Sequence, residues 1–395
     1  MQILLAIALN ALSGTSDTFS DMMVFKYLCL VPQFWEYAVG VAVLDIIPGV
    51  VLFLHHVNTP VWKQSSLRFR IFSVIMIPLQ PFSLLIIHVV WIFNVGSEHW
   101  HNLARISQLI HGSFEAPSQT IMLMVLIARG VIETPWEEYF NLTDRNGNNV
   151  ALGKIGTASL VLCGLSLLKG SVDVMEFDSY RKKWNGFMFS IINLGFRLPA
   201  LALIVTYLDI WATGVFIVLF LVITAIFLYI KGNRRTTIFN STSSIALSVF
   251  LPISASRCPH ELQKQNQKND KTISVKEEDA FKRKISSLVS LVTLPIIYLP
   301  AVMVWVSVKY LGYQYDPNII IAEVQLEQIT LYYLTPMFAL ALVSSVTFYP
   351  TEQYGRIVKY SKILMKYLAL IGTLGCNCNW IMDNTETINK HSWIC

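Results

Sequence analysis

Apolar runs long enough to enter a bilayer alternate along the chain with short polar loops, and those loops alternate in charge. A straight helix needs roughly 20 apolar residues to cross a hydrocarbon core. That length predicts crossings at about Gln2–Leu30, Phe34–Val57, Phe69–Phe93 (loosened by Pro78 and Pro81), Leu152–Phe177, Phe187–Leu208, Trp211–Ile230, Ile285–Leu311 and Ile329–Tyr349. Loops with Lys63, Arg68 and Arg70, with Arg181, Lys182 and Lys183, and with Lys231, Arg234 and Arg235 are basic, which places them in the cytosol. The loop 131–150 carries Glu133, Glu137, Glu138 and Asp144 against Arg145 alone, and the loop before the last crossing carries Asp316, Glu323 and Glu327. Both belong outside.

Two segments break this rhythm. In NLARISQLIHGSFEAPSQTIMLMVLIARG, residues 102–130, the first half holds Arg105, Gln108, His111 and Glu115, and Pro117, Ser118 and Gln119 then interrupt it. The apolar run that follows, Thr120–Ala128, is too short to span. Backbone that breaks at membrane depth survives where protein or water satisfies its freed polar groups, so 104–130 is expected to dip into the membrane as helix, break, helix, facing an interior cavity. The plainer alternative is one crossing kinked at Pro117. Residues 238–256, short, rich in Ser and Thr and stopped by Pro252, are expected to dip in from the cytosol.

The expected fold is therefore an all-α polytopic membrane protein of about eight transmembrane helices and two membrane-dipping, re-entrant segments, with both termini cytosolic. Three crossings plus a dipping segment recur once. An odd number of crossings makes the second copy inverted, and inverted repeats with interrupted helices point to a polar site near the midplane. The transmembrane domain is expected over 1–350, with a flexible, lysine-rich cytosolic linker at 257–284 and a cytosolic tail at 351–395.

Composition agrees. With 54% hydrophobic and 14% charged residues, 395 residues cannot hide their apolar surface in soluble cores. The net charge of +5 sits in short loops, where it orients helices and meets anionic lipid, so no nucleic-acid partner is implied. MQILLAIALNALSG resembles a signal-peptide core but lacks a basic start and runs on through Tyr27 to Val31, so it is expected to stay as a helix. The cysteines Cys29, Cys163, Cys258, Cys376, Cys378 and Cys395 show neither zinc spacing nor a dense disulfide pattern. Asn141-Leu142-Thr143 is a glycosylation acceptor, while DRNGN lacks the closing Glu of a calcium loop. In the tail, Cys376 and Cys378 follow the apolar patch Ile363–Leu374 and a run of lysines, a setting that suits palmitoylation. No triad, phosphate-binding loop or metal cluster stands out, and neither an enzyme nor a cofactor is expected.

Charges inside the apolar runs are the candidate chemistry: Asp17 and Asp21 one turn apart, Asp45, Glu115 beside Gln119, the stripe Lys169, Asp173 and Glu176, and Arg197. Each costs about 2.5–3.5 kcal/mol at the bilayer centre, so these groups are expected to face the protein interior. There they either clamp helices together or line a path. A path of mixed charge suits a zwitterionic head group better than an ion, for which a ring of one sign is used.

FEAPSQTIMLMVLI at 114–127 is similar to the Glu-x-x-Pro-Gln stretch of the XK-related family of membrane proteins, with Ser118 inserted before Gln119. Asp17 and Asp21, SLVLCGLSLLKG at 159–170, LGFRLPALAL at 194–203 and TFYP at 347–350 also resemble that family, although Tyr349 stands where it usually has His. Several members are phospholipid scramblases. The resemblance implies a plasma-membrane protein that moves phospholipids between leaflets along a buried charged track, with a role in apoptotic phosphatidylserine exposure. It further implies partners such as a single-span accessory subunit or a lipid-transfer protein. No Asp-x-x-Asp caspase site occurs in the tail or linker, which departs from members activated by cleavage. A secondary transporter of small solutes and a non-transporting scaffold remain open beside this reading.

Overall fold

The computed structural model describes residues 16, 19–30, 34–57, 67, 70, 71, 74, 111–131, 158–167, 180–231, 248–257, 275–312, 319, 321 and 323–349. Among these residues the fold is all-α, without a strand. Three helical runs in it are long and apolar enough to cross a membrane: Lys183–Tyr229, Ala280–Leu311 and Val324–Phe348. The chain divides into two compact units, Met1–Ser179 with Arg234–Ser254 and Asp316–Ile320, and Tyr180–Asn233 with Ala255–Tyr315 and Ile321–Cys395.

In the first unit, α1 (19–30), α2 (Trp35–Val57), α3 (Ala116–Ala128) and α4 (Ala158–Leu167) share one apolar core. Val24 and Leu28 of α1, Val41 of α2, Leu123 and Leu126 of α3 and Cys163 of α4 fill it. Gly40 leaves room on α2 for the tip of the Met122 side chain of α3, since a Cβ there would stand 2.7 Å from the Met122 Cε. The break expected at Pro117 and Ser118 does not occur. A π turn, His111–Glu115, runs directly into α3, with Pro117 in its first turn. Proline fits there because the first turn does not use its missing N–H, and the backbone widens into a π turn instead of unwinding. At 13 residues α3 is roughly 20 Å long, short of a bilayer core. It ends where Gly130 takes φ 67°, with the Gly130 N–H donating to Ile127 O at 3.0 Å and the Val131 N–H to Leu126 O at 2.8 Å. Val131 is buried beside Leu126, completing this glycine-closed helix end. Of the second expected dipping segment, residues 248–250 are helical and a 3₁₀ turn spans Pro252–Arg257, so Pro252 does stop the α-helix.

In the second unit, α5 (Tyr180–Leu208), α6 (Ala212–Lys231) and α7 (Val275–Leu311) are joined by a last helical run. That run is α8 (Glu323–Glu327), a π turn (Gln328–Leu334) and α9 (Thr335–Phe348). Between α5 and α6 the helical path breaks at Asp209, whose φ is 47°, and both helices pack on α7. Pairings give directions. Asn193 meets Ser290 and Arg197 meets Thr293, so α5 and α7 run parallel. Ser290 meets Ser345 and Tyr298 meets Thr335, so α9 runs against both. Tyr298 stacks on Phe338 at 4.2 Å, and Phe189 on Phe348 at 4.5 Å.

Two boundaries differ from the expectation. Residues 275–284, assigned to a flexible linker, are the first turns of α7. Glu278–Lys282 and Asp279–Arg283 stand four residues apart with the acid first, the pairing that stabilises a helix, and Ala280 and Lys282 are buried. Glu323 and Glu327, assigned to an outer loop, are helical in α8. The remaining linker residues 258–274 and the tail lie outside the described residues.

Candidate functional site

Each unit buries its own polar cluster. In the first, Glu115 is 1% exposed and its Oε2 lies 3.0 Å from the Nδ1 of His111, so the pair closes the π turn on itself. One turn on, Gln119, also 1% exposed, donates through Nε2 to the carbonyl of Val41 on α2 at 3.5 Å. Thr120 donates back to the Ala116 carbonyl at 2.7 Å, a bond that spares a buried hydroxyl. Asp21 is 2% exposed on α1 and accepts from the Ser159 hydroxyl at 2.6 Å, with the Cys163 thiol at 3.9 Å from the same oxygen. That carboxylate thus joins α1 to α4 beside the apolar core.

In the second unit, Arg197 is wholly buried and donates through Nη2 to the Thr293 hydroxyl, which in turn donates to the Val289 carbonyl at 2.6 Å. A ladder adjoins it: Ser345 to Ser290 at 2.7 Å, Ser290 to Asn193 Oδ1 at 2.5 Å, and Asn193 Nδ2 to the Phe189 carbonyl at 2.9 Å. Ser287 donates to the Ser345 carbonyl. Three helices are therefore bonded through small polar side chains in the setting where a polar group facing lipid would be most costly.

A proline produces a further contact. Pro199 lies inside α5 and has no N–H, which leaves the carbonyl of Gly195, four residues before it, without its helical donor. The Tyr333 hydroxyl supplies that bond at 2.9 Å from the π turn opposite. Gly195 also admits Met337, whose Cε would stand 2.9 Å from a Cβ at that position.

Of the residues expected to line a path, Asp21, Glu115 and Gln119 are buried in the first unit and Arg197 in the second. Asp45 lies within α2, its side chain outside the described residues. Asp17, Lys169, Asp173 and Glu176 also lie outside them, as do the glycosylation candidate Asn141 and the palmitoylation candidates Cys376 and Cys378. Sequence reading passed over His111 as a partner and missed Asn193, Ser290, Thr293 and Ser345. A signal existed: Ser286, Ser290 and Thr293 recur every three or four residues, as do Asn193 and Arg197, so each set lies along one helix face. Among the described residues no three His, Cys, Asp or Glu side chains stand close enough to hold a metal ion together.

No family model, curated protein or solved structure matches this chain.

Proposed function

We propose that the protein is a phospholipid scramblase, a plasma-membrane protein of eight crossings and two dipping segments built as an inverted repeat, with both termini cytosolic. The observation that carries this reading is burial of charges of both signs within apolar helical segments: Arg197 in α5, Asp21 in α1 and Glu115 at the entry of α3. Charge is expensive at such depth, and an ionisable group buried there is a functional-site candidate, whether it lines a path for a polar cargo or clamps helices together. A phospholipid head group carries both signs and exchanges its hydration for contacts of both kinds. Exposure of phosphatidylserine on dying cells is the physiological setting that this reading implies, with an accessory subunit or a lipid-transfer protein as partner.

The test is reconstitution of the purified chain into liposomes carrying a fluorescent phospholipid in both leaflets, followed by a membrane-impermeant quencher. A scramblase exposes the inner-leaflet label as well, with no ion gradient. Quenching confined to the outer leaflet would reject the reading, and gradient-driven solute uptake in the same vesicles would replace it with a secondary transporter.

A second reading has an observation of its own. The ladder from Ser345 through Ser290 to Asn193 closes on protein groups, as a helix clamp does. A non-transporting scaffold would show neither lipid nor solute movement while keeping that ladder.

A further inference from the structure

The ends of α7 and α8 hold a constellation that the buried clusters do not use. The Lys309 Nζ lies 2.5 Å from Glu327 Oε1, 5.7 Å from the centroid of the Trp305 ring and 5.9 Å from that of Tyr310. The two rings meet edge to face, at 81° and 5.8 Å between centroids. An ammonium group is thus held by two aromatic side chains and a carboxylate, the chemistry by which proteins recognise quaternary ammonium ligands. Beside it, the buried Nε1 of Trp305 has no hydrogen-bond partner among the described residues, although a buried indole N–H ordinarily finds one.

Position sharpens the point. Lys309 and Tyr310 close the apolar run Ala280–Leu311, and Glu327 lies in the first turn of the run Val324–Phe348. The cluster therefore sits where a spanning helix meets the head-group layer, at the end of α7 away from its charged first turns. A lysine at that level ordinarily extends its ammonium into water. Here it turns to a carboxylate on another helix, and the pair stays 28% and 32% exposed. An ion pair so exposed holds weakly, so a competing cation can displace it.

We propose that Trp305, Tyr310 and Glu327 form a binding site for the cationic end of a zwitterionic phospholipid, the trimethylammonium of phosphatidylcholine, and that Lys309 occupies it as a built-in competitor. The bound ammonium takes the place of the Lys309 Nζ against Glu327 and the rings. The site goes beyond the proposed lipid movement and does not depend on it, since a protein that moves no lipid can still bind one.

Two measurements test it on the purified full chain in a maltoside detergent, with dihexanoylphosphatidylcholine as the probe. In the first, an amine-acylating reagent labels the wild-type protein and the Lys309 peptide is quantified by mass spectrometry. Labelling of Lys309 should rise severalfold on addition of the probe while other lysines stay constant. In the second, calorimetric titration compares variants. Lys309→Met, which empties the site, should bind about tenfold more tightly, and Glu327→Gln and Trp305→Leu about tenfold more weakly, than wild type. Unchanged Lys309 labelling, or equal affinities across wild type and Lys309→Met, would overturn the proposal. So would equal competition by dihexanoylphosphatidylglycerol, which has no cation and would report simple partition onto the apolar surface.

Discussion

Glu115 is the acid whose placement most constrains what the first unit does. Its carboxylate is buried and lies 3.0 Å from His111 within the same π turn, so its nearest counterpart is on its own segment. Glutamine has the same size and still offers an oxygen and an amide to the imidazole, so Glu115→Gln keeps the turn while removing the charge. The mutant should reach the membrane at wild-type abundance. If the charge serves a passing head group, lipid movement should fall about tenfold, the change expected from a barrier raised by about 1.4 kcal/mol. Abundance and lipid movement measured on the same vesicles decide this, and a normal rate at normal abundance would remove Glu115 from any track. The pairing itself was legible only in part: four-residue spacing puts His111 and Glu115 near each other on any helix, but the π turn that seats them comes from Pro117 and packing together.

At the scale of elements, prolines decide how the second unit is bonded. Pro199 frees the Gly195 carbonyl, and the Tyr333 hydroxyl on the π turn Gln328–Leu334 takes it. Tyr333→Phe should therefore lower stability by about 0.6–1.5 kcal/mol, read from thermal melts in detergent. In a Pro199→Ala background the restored N–H at 199 serves the same carbonyl, so Tyr333→Phe should cost much less there. An equal cost in both backgrounds would show that the tyrosine acts through something other than this bond. The fifth to eighth apolar runs end within one residue of α5, α6, α7 and α9, because unbroken apolar length is a local property, but only for α6 do both ends agree: α5 begins seven residues before the apolar run and α9 six residues after it. Sequence reading began α7 ten residues late, since the Glu278–Lys282 and Asp279–Arg283 pairs were read as linker charge rather than as helix support.

At the scale of the molecule, orientation follows from parallel α5 and α7 together with antiparallel α9. The lysine-rich starts of α5 and α7 then lie at one end of the second unit, with the Lys309–Glu327 pair at the other. By the positive-inside rule, the topology proposed above puts the lysine-rich end in the cytosol, which labelling can check. A cysteine placed at Asn148 should react with an impermeant maleimide on intact cells, and one placed at Lys268 only after permeabilisation. The reverse pattern would overturn this topology.

The amino-acid sequence alone determined that this chain is helical, apolar beyond what a soluble core holds, and charged within its apolar runs, because composition and run length are sums over neighbours in the chain. Tertiary structure decided the rest. Arg197 meets a threonine across 96 residues, Asp21 meets Ser159 across 138, and Tyr333 serves a carbonyl 138 residues away. Such partners are chosen by which helix faces pack together. Hydropathy fixes how much of a helix must be covered, while the neighbour that covers it is set by shape, by small residues such as Gly40 and Gly195, and by the carbonyls that prolines leave open.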